Sequence, residues 1–127
     1  MLDTTPLTAA VDRFADRLRA APQSRLQRGA AAEGLALARE LSVRAQRIEE
    51  PGREPRIMPD AGAFAVADQL AVAGHDLAKA LETSCTPVRE RQAERERETA
   101  PSAETGLETG LDEAVRLVKA AAARAGV

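Results

Sequence analysis

The chain has 127 residues, a formal charge of −2 and only 2% aromatic residues, with no Trp and no Tyr. That length supports one domain at most. The missing Trp and Tyr remove the usual interface anchors and base-stacking platforms, and the slightly acidic balance argues against a nucleic-acid-binding domain, which is usually basic.

Ala supplies 28 residues, whereas Leu, Ile, Val and Phe together supply 25. That is just under the fifth below which a highly charged chain stays disordered. Net charge is low here, so the expectation is a folded chain with a thin core, completed by alanine or by a second chain. Arg outnumbers Lys sixteen to two. With so much Ala, this reads as the codon bias of a G+C-rich bacterial genome. Cys85, the one cysteine, can form no internal disulfide and fits a reducing cytosol. No run reaches the roughly 20 apolar residues of a membrane span. No basic segment followed by an apolar stretch marks a leader. A cytoplasmic location without membrane contact is expected.

Residues 1–5 carry no pattern and are expected to be loose. Thr5-Pro6 is a helix entry, with Thr to cap and Pro pre-set for the first position. Leu7, Val11, Phe14, Leu18 and Ala21 then step four, three, four, three, which predicts a first helix over 6–21. Pro22 breaks it. Ser24-Arg25-Leu26-Gln27 has the form of a capping box. It opens a second helix over 24–50, with the stripe Leu26, Ala30, Leu37, Leu41, Ala45 and Ile48. Leu35, with Ala31 and Ala38, makes a second apolar edge, and Val43 also lies off the stripe. A helix with two apolar edges touches two neighbours, or one neighbour and another subunit.

Three prolines in Pro51–Pro59 exclude a continuous helix there. This connection is long for a bundle and reads as a stiff spacer, with Ile57 and Met58 tucked into the bundle end. Asp60 is the candidate cap of a third helix over 60–82. Its seam is Ala63, Ala67, Leu70, Gly74, Leu77 and Leu81. Gly74 costs about 1 kcal/mol of helix propensity relative to Ala, so it is either tolerated or needed for close packing. Phe64 and Val72 fall toward the polar side.

Residues 83–108 read as a charged, solvated linker. Arg89 to Glu98 holds four Arg and four Glu, and its i, i+4 pairs are like-charged. Thr109 with Asp112 is a candidate capping box for a last helix over 109–125. That helix carries Leu111, Val115, Val118, Ala122 and Ala125, and Gly126 would stop it.

The chemistry-bearing residues are few. His75, the only histidine, shares a helix face with Asp68, Lys79 and Glu82, but zinc sites need several His or Cys ligands and two-metal bundles need repeated Glu-x-x-His pairs. Cys85 has no Cys-His signature around it. Phosphate-binding glycine loops and the nucleophile elbow are absent. No catalytic residue, metal site or cofactor is therefore expected.

The sequence thus predicts an all-α fold: a small antiparallel bundle of four helices. Residues 1–82 form a three-helix core, 83–108 a linker, and 109–127 a helix that completes the bundle or pairs with another subunit. The expected function is non-catalytic protein–protein interaction, with itself or another helical protein, through Leu35, Val43, Phe64 and Val72. Two alternatives remain. A small regulator of nucleic acid or of a transcription factor would need Arg25, Arg28, Arg39 and Arg56 in one free cluster. A ligand- or metal-binding bundle would need a cavity beside His75.

Overall fold

The computed structural model describes residues 2–92 and 102–127, with side chains for 2–84 and 106–127. Over these residues the order is α1 (Thr5–Ala20), a single turn α2 (Gln23–Arg25), α3 (Ala31–Glu49), α4 (Val66–Gln92) and α5 (Ser102–Ala125), with no strand among them. The four long helices pack together as the expected all-α bundle.

Helix α1 forms where its seam says it should: Leu7, Val11, Phe14 and Leu18 are all buried. Pro6 sits in its first turn, where a missing N–H costs nothing. The first turn is served by Asp3 and not by Thr5: Asp3 Oδ1 accepts the Thr5 N–H at 3.0 Å. Hydrogen bonds from the Thr5 side chain and backbone hold the Asp3 carboxyl below the ordinary carboxylate range. The residues expected to be loose are docked. Leu2 and Thr4 are buried, and the Thr4 hydroxyl donates to Glu82 Oε1 on α4.

The second predicted helix is broken. Gly29 adopts φ 145° and ψ −14°, a conformation L side chains rarely take. The chain kinks there, in a π-turn over Leu26–Ala30 whose bond runs from Ala31 N–H to Leu26 O. Ser24 makes no capping bond, because Pro22 stands at the cap position of α2. Beyond the kink, α3 carries both apolar edges inward. Leu37, Leu41 and Ala45 are buried, and so are Leu35 and Ala38. The two edges meet two neighbours, α4 and α5.

α4 packs against both α1 and α3, and a glycine marks each crossing. A Cβ at Gly74 would lie 2.5 Å from Val11 Cγ1 and 2.6 Å from Cγ2. A Cβ at Gly34 of α3 would lie 2.6 Å from Val66 Cγ1 and 2.9 Å from Leu18 Cδ1. Close approach of the helices is therefore what Gly74 provides. Of the predicted seam, Ala67, Leu70, Gly74, Leu77 and Leu81 are buried, whereas Ala63 is half-buried in the 3₁₀ turn Ala63–Ala65 that precedes α4.

Helix direction follows from these contacts. Arg19 bonds Asp68 and Asp12 bonds His75, so α1 and α4 run antiparallel. Arg44 bonds Glu113 and Arg124 bonds Glu33, so α3 and α5 do too. The expected antiparallel arrangement fails for α3 and α4, which run the same way: a Cβ at Gly34 would meet Val66 at one end, and Ile48 lines one hollow with Leu77 and Leu81 at the other. Residues 50–62 make this possible by returning along α3, the single long crossover that some four-helix bundles use.

The linker boundaries differ from expectation. α4 runs on to Gln92 and α5 begins at Ser102, so the predicted loop at Thr83–Pro87, Cys85 included, has helical backbone. Like-charge i, i+4 pairs oppose a helix by only a few tenths of a kcal/mol, and the Arg and Glu of this segment are good helix formers. Residues 93–101 of the predicted linker lie outside the described residues. Thr109 is consequently interior to α5 rather than its cap. α5 completes the bundle through Leu111, Ala114, Val118 and Ala121.

Candidate functional site

The crossover strap, residues 50–62, is the most elaborately fixed irregular segment. Gln46 on α3 grips Arg56 with both ends of its amide: Nε2 donates to the Arg56 carbonyl and Oε1 accepts the Arg56 N–H, each at 2.8 Å. Arg39 Nε donates to Met58 O at 2.8 Å, and Gln69 Nε2 of α4 donates to Pro59 O at 2.9 Å. Asp60 Oδ1 accepts the Gly62 N–H at 2.9 Å. Asp60 thus shapes the turn before α4 and not the helix end itself. Gly62 has φ 94°, which opens the 3₁₀ turn Ala63–Ala65.

This arrangement decides which apolar side chains reach solvent. Met58 is half-buried against the core, whereas Ile57, expected to tuck in beside it, is 63% exposed. One inward and one outward is the alternation that neighbouring side chains of an extended segment would show. That alternation was a usable sequence signal. Phe64 on the 3₁₀ turn is 81% exposed and Val72 on α4 is 57% exposed. These two, expected off the seam, are off it. Leu35 is 8% exposed and packs within the chain, lining a groove beside the strap. Val43 is half-buried.

That groove has a volume of about 400 Å³ and lies between α3 and the start of α4. Leu26, Ala31, Leu35, Ala63 and Val66 supply its apolar lining, and Arg39 and Asp60 also border it. A second hollow, about 230 Å³, lies under Arg44 and Arg47 among Ile48, Leu77, Leu81 and Leu107. Burial pulls the Arg44 guanidinium down in pKa, but hydrogen bonds to Glu113 and Glu40 outweigh it and leave it raised.

The polar residues singled out in the sequence are dispersed. His75 Nε2 lies 2.9 Å from Asp12 Oδ1. A carboxylate only accepts, so Nε2 carries the proton. Asp68 is bonded instead to Arg19, at 2.8 Å, and this bond, ahead of those to Asp16, raises the Arg19 pKa. Among the described residues no three His, Cys, Asp or Glu side chains group as a metal site. Arg25 donates to the Gly126 carbonyl, Arg39 to the strap, and Arg56 lies 3.9 Å from Glu50. These arginines therefore hold separate parts of the chain. No helix among the described residues is long and apolar enough to cross a membrane.

Comparisons of the chain with family models, with curated proteins and with solved structures find no match.

Proposed function

We propose that this chain is a non-catalytic bundle that works through protein–protein contact, associating with a second copy of itself or with another helical protein. The observation that carries this reading is the exposure of Ile57, Phe64 and Val72 on a strap and helix that are otherwise firmly fixed. Large apolar side chains are scarce in this sequence, and leaving three in solvent forgoes burial that the thin core would use. Phe64 and Val72 carry the reading forward. Leu35 supports it only as part of the groove wall, and Val43 only as a half-buried neighbour. A single cysteine supports a reducing, cytoplasmic setting, and the arginine and alanine content supports a bacterial source.

Sedimentation equilibrium from about 1 to 100 µM tests the reading. The expected result is a mass that rises toward the dimer, and a monomer for Phe64→Ser and Val72→Ser with unchanged helical circular dichroism. A wild-type monomer throughout would oppose self-association and leave capture of a helical partner as the remaining form of the proposal.

A ligand-binding bundle is a second reading; it was expected to need a cavity beside His75, and what supports it instead is the hollow under Arg47, whose lining does not include His75. Its apolar walls and cationic rim suit a small amphipathic acid. Titration with octanoate, followed by the chemical shifts of Leu77 and Leu107, tests it: saturable shifts support it, and none up to millimolar octanoate opposes it.

A further inference from the structure

We infer that the crossover strap is a hinged latch: residues 53–61 lift off α3 and α4 as one unit while the four long helices stay packed, whether or not the chain self-associates. None of residues 53–61 is buried, and only Pro55 and Met58 are half-buried. The buried core draws no side chain from this stretch, so lifting it leaves the core intact. Segments with so few buried apolar contacts open well below the cost of global unfolding. Glycines bound the stretch. Gly52 has φ 87° and Gly62 φ 94°, and an added Cβ at either would meet nothing within 4 Å among the described residues. Rotation is cheapest at such residues, whereas Pro55 and Pro59 stiffen the chain between them. Bending is thereby directed to the two ends. Length allows it: residues 50–62 reach about 40 Å when extended, against roughly 21 Å of helix from Leu35 to the end of α3 at Glu49.

What closes the latch is mainly polar. Gln46, Arg39 and Gln69 supply four hydrogen bonds, all to main-chain groups of Arg56, Met58 and Pro59. Water replaces each of them on opening, so each adds only modestly to closure. One group opposes closure. Gln69 donates through Nε2 to Pro59 O, yet its Oε1 is buried with no hydrogen-bond partner among the described residues. A buried acceptor left unmade costs its lost hydration, and release of Pro59 frees the amide to turn its oxygen to water. Lifting the strap uncovers three side chains, from two helices, that are matched to the N–H and C=O groups of an extended chain. It also takes Ile57 from its place on the closed surface. The strap thus withholds those groups when closed and presents them when open.

Native-state hydrogen exchange on the full chain, read amide by amide by NMR, tests the latch. Two amides decide it: Arg56 N–H, which Gln46 Oε1 accepts, and the N–H of Leu70, a fully buried residue of α4. Arg56 is expected to exchange faster than Leu70, at a rate that sub-denaturing urea barely changes, because lifting the strap exposes little surface. Leu70 exchange should climb steeply with urea. Arg39→Met keeps the apolar stem but removes the bond to Met58 O, two residues along the strap. If the strap lifts as one unit, Arg56 exchange speeds up about fivefold while Leu70 keeps its rate. Equal urea dependence at Arg56 and Leu70 would overturn the latch, since the strap would then open only with the bundle. An Arg56 rate unmoved by Arg39→Met would overturn it too, because the bonds would be opening one by one. An equal gain at Leu70 would make the strap part of the bundle's own stability and count against it likewise. The urea comparison on the wild type decides the first point whether or not the variant folds.

Discussion

Gly34 and Gly74 do one thing in this bundle, and Gly106 and Gly110 another. At the first pair an added Cβ would meet a neighbouring side chain at 2.5 or 2.6 Å. At the second pair it would meet nothing within 4 Å among the described residues, although both glycines line the hollow with Ile48, Leu77 and Leu81. The same residue thus brings α4 against α1 and α3, and leaves a hollow where α5 passes α3. What separates the two cases is the partner's shape. Val11 and Val66 are branched at Cβ and fill the space opposite a glycine, whereas among the described residues no side chain reaches Gly106 or Gly110.

The contrast is testable by one substitution with opposite signs. Gly74→Ala has the largest expected effect. Val11 is stiff about χ1, so the extra methyl cannot be cleared by a rotamer change, and overpacking costs about 1–3 kcal/mol. Urea unfolding should show the lower midpoint. Adding Val11→Ala to Gly74→Ala should recover part of that loss, so that the two changes are non-additive in a double-mutant cycle. Gly34→Ala should cost somewhat less, about 1–2 kcal/mol, because a single stiff atom, Val66 Cγ1 at 2.6 Å, opposes it and the next, Leu18 Cδ1 at 2.9 Å, is the far end of a flexible side chain, whereas Gly74 faces three atoms of Val11. Gly106→Ala and Gly110→Ala should each gain about 0.5–1 kcal/mol, the backbone entropy a helical glycine loses on folding. A loss at Gly106 or Gly110, or a gain at Gly74, would erase the distinction.

Part of this was legible beforehand. Large residues at three- and four-residue spacing marked the buried lines of α1, α3 and α4, because Leu, Phe and Val have few alternatives to burial once a helix forms. In α5, Val115 was expected inward and is half-buried, while Ala114 and Ala121 are buried; an alanine-rich helix can rotate by a fraction of a turn at little cost, so periodicity sets its face weakly. Direction was not legible from faces at all. The connection between α3 and the turn before α4 spans residues 50–62. Fully extended, thirteen residues reach about 40 Å, more than the roughly 28 Å of a helix of 19 residues. Length alone therefore permitted either a return or an excursion. The choice was made by Gln46, Arg39 and Gln69, three polar side chains that bind the strap backbone and that no apolar pattern singles out. Gly29 escaped notice for a similar reason: a glycine inside a long helical pattern looks tolerated until its φ is known.

On the self-association proposed above, a second copy covers the exposed Phe64. The most direct measurement is the urea midpoint of the wild type at about 1 µM and about 100 µM, beside Phe64→Ser. Association stabilises the folded state by mass action. The midpoint should climb with concentration for the wild type and stay fixed for Phe64→Ser. A wild-type midpoint independent of concentration would contradict it.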